Sequence, residues 1–137
     1  IINQVLEHIK EIFFITTQMN RVLKNNGLVI VGTPNLAAAH NRILLLLGRQ
    51  PACIKTFSAH IRGFTKKDLT YFFNKNGFSL IDFAGSNFYP FPKSIAKLLS
   101  KIFPTLSVCI FVLFRKTNQA MSIDDLKAQE FETNYKI

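Results

Sequence analysis

The sequence predicts an α/β fold, on three observations. Apolar residues recur at three- and four-residue steps in several stretches, short wholly apolar runs lie between those stretches, and Asn-Gly or Gly-Ser pairs mark the changes from one to the other. Helical and extended segments alternate along the chain, which implies helices layered on a mostly parallel sheet of three or four strands.

The first helix is expected from about Ile9 to Lys24, with Val5, Leu6, Ile9, Ile12, Phe13, Met19, Val22 and Leu23 supplying an apolar face. Asn25-Asn26-Gly27 ends it, since Asn and Gly accept the left-handed backbone of a helix C-terminus. Leu28 to Val31 then reads as a strand apolar on both faces and therefore buried. Thr33-Pro34-Asn35 breaks it, and Asn35 is placed to cap a helix running through Gly48 with Leu36, Ile43, Leu44 and Leu47 on its face. A sharper local signal is Phe64-Thr65-Lys66-Lys67-Asp68-Leu69. Thr65 and Asp68 can form a capping box there, and Phe64 can staple onto Leu69. That helix ends at Asn76-Gly77, and Phe78 to Ala84 has strand composition. After Pro92 a two-faced helix is expected, with Ile95, Leu98, Leu99 and Ile102 on one side and Lys93, Lys97 and Lys101 on another. Leu106 to Arg115 reads as the last strand. The polar tail, 117–137, has too few apolar residues to insist on order and is expected to be flexible.

Length and composition narrow the function classes. At 137 residues the chain has the size of one domain, and 48% hydrophobic residues exclude a disordered chain. Two cysteines, Cys53 and Cys109, cannot staple a small secreted scaffold, so a reducing, cytoplasmic setting is expected. Neither Cys has a CxxC partner, which argues against metal binding or nucleophilic catalysis by thiols. The apolar runs Ile43 to Leu47 and Val108 to Phe114 fall far short of the roughly 18–20 residues of a membrane span. Ile1 to His8 holds no Lys or Arg, so no secretory signal is expected. Ile rather than Met at position 1 leaves open a processed product or a piece of a longer chain.

The net charge of +9 is unevenly spread: residues 1–116 carry 15 Lys and Arg against four Asp and Glu, while 117–137 carry two against four. From Ile12 to Ile123 the only carboxylates are Asp68 and Asp82, so hydrolysis by a carboxylate pair is excluded as a reading. Such a basic surface attracts phosphate-bearing partners or anionic lipid. Nucleic acid is not expected as partner, because the Phe residues follow core periodicity and no reader motif interleaves them with the basic residues.

Four segments together resemble the C-terminal half of a class I S-adenosylmethionine-dependent methyltransferase, of the broad group that includes the ubiquinone-biosynthesis enzymes. They are Asn3-Gln4-Val5-Leu6-Glu7-His8-Ile9, similar to the end of the family's fourth strand; Arg21-Val22-Leu23-Lys24-Asn25-Asn26-Gly27-Leu28, similar to its RVLKPGG turn; Thr33-Pro34-Asn35; and His60-Ile61-Arg62-Gly63-Phe64-Thr65 leading to Asn76-Gly77-Phe78. The resemblance covers residues 1–116. It implies a partial Rossmann-like fold comprising strands four to seven with flanking helices, the last strand antiparallel. It also implies that the first three strands, the glycine-rich cofactor loop and the acidic ribose-binding residue are missing. Asn25-Asn26 replaces the family's Pro-Gly, and Gln4 stands where metal-binding members carry Glu.

S-adenosylmethionine is the cofactor the resemblance implies, with Gln4, Val5 and Glu7 on its side of the site. His8 is a candidate general base toward an acceptor hydroxyl, the alternative being local polarity at a helix start. His60 and Arg62 would border the acceptor, with His60 a second candidate base and Arg62 able to hold an acceptor's phosphate or carboxylate, unless they form a plain solvated loop. Asn35 is either a substrate ligand or a helix cap. His40 reads as structural. Because the Gln4 amide is a poor substitute for a carboxylate at a hard cation, no metal site is expected.

Two functions remain open at this point. One is methyl transfer, on oxygen, to a small or lipid-linked acceptor, by a chain inactive until its other half completes it; an exposed strand edge at Ile1 to Gln4 would then self-associate or receive that half. The other is a degenerate, non-catalytic basic module that binds an anionic membrane or a partner subunit.

Overall fold

A computed structural model describes residues 1–117, so the tail expected over 117–137 lies, Thr117 apart, outside the described residues. The fold is mixed α/β. Strand β1 (Ile2–Asn3) leads through a 3-10 turn (Leu6–His8) into α1 (Ile12–Val22) and β2 (Leu28–Pro34). Helices α2 (Ala39–Leu46) and α3 (Lys66–Lys75) precede β3 (Phe78–Ser86), and α4 (Lys93–Ile102) precedes β4 (Cys109–Lys116).

The four strands form one sheet in the order β1-β2-β4-β3. Only β1–β2 pairs in parallel, with Ile2 opposite Val31, whereas β4 runs antiparallel to both β2 and β3. This corrects the mostly parallel sheet expected from sequence. Strands β1, β2 and β3 share one direction, but the reversed β4 sits between two of them and makes most pairings antiparallel. An apolar run reads the same in either direction, so composition could not place that reversal.

One face of the sheet carries the core. Val29 and Val31 of β2 and Ile110, Val112 and Phe114 of β4 are buried there against Ile12 and Met19 of α1 and Leu69, Phe72 and Phe73 of α3. The Phe73 ring stacks on Phe114 with centroids 4.4 Å apart. On the other face Leu28 and Ile30 are exposed and Phe111 and Leu113 only half-buried, so β2 is not the doubly buried strand its composition implies. A strand alternates its side chains between faces, and among the described residues this end of the second face has no layer over it.

Local chemistry accounts for the element ends. Thr65 Oγ1 accepts the Asp68 N–H at 3.2 Å and Asp68 Oδ2 accepts the Thr65 N–H at 3.2 Å, which closes the expected capping box at the start of α3. Phe64 and Leu69 are both buried in the adjoining core, as the staple requires. Asn76 caps the other end, and Gly77 follows at φ 81°. Asn26 takes the left-handed turn after α1 at φ 62°. Lys116 donates from Nζ to the carbonyls of Asn20 (2.6 Å) and Leu23 (2.8 Å), satisfying the negative end of α1 with a cation. Helix α1 starts later than expected, at Ile12, because Leu6–His8 forms its own short turn. Asn35 does not cap α2; that helix begins after Ala38 without a side-chain cap.

Candidate functional site

In α/β sheets ligands collect at the carboxyl ends of parallel strands, where loops leave the sheet. The parallel pair β1–β2 has one such end, and residues 4–8 and Thr33 emerge there. Gln4 turns the chain out of β1 with a left-handed backbone, φ 55°, while its N–H bonds the Gly32 carbonyl at 2.9 Å. The following 3-10 turn sends Glu7 inward and His8 outward. The loop before α3 then folds over this turn: the N–H groups of Ile61 and Arg62 both reach the Glu7 carbonyl, at 2.9 and 3.3 Å.

Two histidines meet as a result. The rings of His8 and His60 lie edge to face with centroids 4.6 Å apart. His8 Nδ1 is 3.0 Å from the Ala59 carbonyl and His60 Nδ1 is 2.8 Å from the Cys53 carbonyl. A carbonyl oxygen only accepts, so each Nδ1 carries a hydrogen and donates it, and Nε2 is the ring nitrogen left outside that bond. Beneath them the Glu7 carboxylate is buried. Its Oε2 accepts the Thr33 hydroxyl at 3.4 Å, and its Oε1 has no partner. One potential ligand atom each from Glu7, His8 and His60 lies within 4.8 Å of the other two, a donor set that could hold a divalent cation. Histidines anchored through Nδ1 to carbonyls are also how metal-ligating imidazoles are oriented.

The remaining expected residues are disposed differently. Arg62 donates from Nε to the Ile9 carbonyl (3.3 Å) and from Nη2 to the Lys10 carbonyl (2.7 Å), so it clamps the loop onto the segment after the 3-10 turn, and it lines an open cleft of about 360 Å³ with Asp68 and Tyr71. Gln4 and Val5 are exposed at the end of β1, an edge strand among the described residues, whereas Glu7 is interior. The three residues expected on the cofactor side are therefore split. Asn35 is buried with its amide fully used: Nδ2 donates to the carbonyls of Thr105 (2.9 Å) and Ser107 (2.8 Å), and Oδ1 accepts the Ala37 N–H (3.0 Å).

Sequence reasoning missed Asn41. Fully buried on α2, it donates to the Asn35 carbonyl at 2.9 Å and to Cys53 Sγ at 3.3 Å, and accepts the Ala52 N–H at 2.8 Å. It thus pins the loop whose Cys53 carbonyl orients His60. The only signal in the sequence is a single Asn inside a Leu-rich helix. Burial pushes the Cys53 and Cys109 thiols up, with the Glu7 carboxylate adding to the effect at Cys109, so neither is an activated nucleophile. A larger depression of about 620 Å³ runs along α3 among Lys66, Lys67, Thr70 and Asn74, but it brings no base or nucleophile together.

No protein-family model matches the chain, and no curated protein is significantly similar to it. The site is therefore interpreted from its own chemistry.

Proposed function

We propose that the chain is the C-terminal portion of a class I S-adenosylmethionine-dependent methyltransferase that methylates an oxygen of a small or lipid-linked acceptor. The observation that carries this reading is the meeting of His8 and His60, each anchored through Nδ1 to a backbone carbonyl, at the carboxyl ends of β1 and β2. A reversed last strand inside the sheet supports it as well, as do the free edge at β1 and the open sheet face of Leu28 and Ile30, which leave room for further strands and helices.

The described residues offer only one flank of a cofactor site, the exposed Gln4 and Val5. When bound, S-adenosylmethionine supplies an electrophilic methyl group. This chain's own residues act on the acceptor. His8 Nε2, or His60 Nε2, takes the hydroxyl proton as the oxygen becomes a nucleophile, and the carbonyls of Ala59 and Cys53 stabilise the ring that gains charge. Arg62, with two N–H donors already fixed on the backbone, offers its remaining donors to an acceptor anion without losing its position.

The test is calorimetric titration of S-adenosylmethionine into this chain and into the product of the complete reading frame that encodes it. Binding and methyl transfer by the complete product, with none by the isolated chain, are expected. In the complete product, replacing the acting histidine by Ala should lower kcat by about 10²–10⁴-fold. A complete product that does not bind the cofactor would sink the reading.

A further inference from the structure

Helix α4 turns the wrong side of itself to the protein. It rests on the sheet through Ala96 and Ser100, both buried, while Ile95, Leu98 and Ile102 are 45%, 58% and 57% exposed. Just beyond the helix the chain passes close to β3: a Cβ on Gly85 would lie 2.6 Å from the Pro104 carbonyl and 2.2 Å from Ser107 Oγ. The two-faced pattern of the sequence fits either an apolar face packed on the sheet or one left open, and the fold buries the small-residue stripe and leaves the apolar one open.

Sheet closure does not require this helix. Strands β3 and β4 are antiparallel neighbours with Ser86 opposite Cys109, a connection that a turn of about 2–5 residues can make. The chain instead makes a long excursion from Asn87 to Val108, which also exposes Tyr89, Phe91 and Phe103. Lys93, Lys97 and Lys101 follow one another at four-residue steps along α4, with Lys101 three residues beyond Leu98 bordering the apolar side, and with Gly85, Ala96 and Ser100 they line a groove of about 510 Å³ between the helix and β3. From Phe83 to Lys116 the sequence contains no Asp or Glu.

We infer that α4 is a docking surface for an anionic membrane: Ile95, Leu98 and Ile102 enter the headgroup–acyl boundary while the lysine groove takes lipid phosphates. An apolar helix face bordered by lysines is the pattern of an interfacial helix, and long lysine stems reach the headgroups while their helix lies in the plane. Charge favours this occupant over a second copy of the chain, since the stretch from Phe83 to Lys116 carries five Lys and Arg and no Asp or Glu, and a symmetric contact through it would pair like charges. No helix among the described residues is long and apolar enough to cross a membrane, so the contact is superficial. The inference is independent of methyl transfer.

The chain has no Trp, so Leu98→Trp in the full chain gives a single reporter at an exposed position, and Phe14→Trp on α1 gives its control. With vesicles of phosphatidylcholine and phosphatidylglycerol at low salt, the Leu98→Trp emission should shift to the blue and the Phe14→Trp emission should not. Raising salt to about 1 M should reverse the shift. Lys97→Ser and Lys101→Ser should each weaken partitioning about fivefold, with a far-UV spectrum and denaturation midpoint matching the parent. Absence of a shift overturns the inference. So does an equal shift with phosphatidylcholine alone, an equal shift at position 14, or a blue-shifted Leu98→Trp in buffer that sediments as a dimer.

Discussion

Helices α3 and α4 are both ten residues long, both carry three lysines and both are amphipathic, yet the fold uses them in opposite ways. Helix α3 buries its large side chains, Leu69, Phe72 and Phe73, and leaves Lys67 exposed. Helix α4 buries Ala96 and Ser100 and leaves Leu98 and its neighbours in the open. Amphipathicity therefore tells that a helix has a side to cover without telling what covers it. In α3 that cover is the sheet face of Ile110, Val112 and Phe114, whereas Ile95, Leu98 and Ile102 of α4 have no such cover among the described residues.

The largest test of this contrast is a pair of truncations. Phe73→Ala removes a fully buried ring that stacks on Phe114 and meets Phe72 and Phe78 edge-on, and it should cost roughly 3–5 kcal/mol in a urea unfolding series. Leu98→Ala removes a side chain of the same chemical class and should change stability by no more than about 0.5 kcal/mol. Comparable losses from the two would mean that α4's apolar face is packed in solution, and the contrast would fail.

The same contrast shows what could be learned from sequence. Signals contained within a few residues were legible: the Thr65–Asp68 box, the Asn26 and Gly77 turns, and the apolar periodicity of each helix. Relations between distant residues were not. Composition and periodicity do not give the direction of β4, which the family resemblance alone led one to expect as antiparallel, and β2's open face depends on which layers reach it. Glu7 and His8 are adjacent in sequence and stood out as a pair, but His60 joins them only because the Ile61 and Arg62 amides tie its loop to the Glu7 carbonyl. Asn41, which holds the same loop from below, offered nothing beyond one polar residue among leucines.

A smaller effect isolates the role of local chemistry. Thr65→Ala opens the capping box while leaving the buried face of α3 intact, and it should lower stability by about 1 kcal/mol. Helix α4 begins after Pro92 with no side-chain cap, so Ser or Ala at position 94 should be equivalent there in the same unfolding assay. The expected asymmetry is that α3 is defined by its cap and core together, and α4 by neither.

The smallest effect concerns the attachment of the α4 excursion to the rest of the chain. His40 of α2 meets Tyr89 edge to face with centroids 5.6 Å apart, and burial holds its imidazole below the usual histidine range. In the unfolded chain His40 protonates near its ordinary value of about 6.5, whereas in the folded chain it stays neutral to lower pH. Between those values the unfolded state binds more protons, so this contribution to stability is present above about pH 6.5 and is lost as pH falls through the folded value. His40→Gln should flatten the decline of the unfolding midpoint just below pH 6.5 while leaving the midpoint at pH 8 nearly unchanged. An unaltered slope would place the ring in water and detach Tyr89 from α2, leaving the excursion held by Ala96, Ser100 and the Asn35 hydrogen bonds to the Thr105 and Ser107 carbonyls.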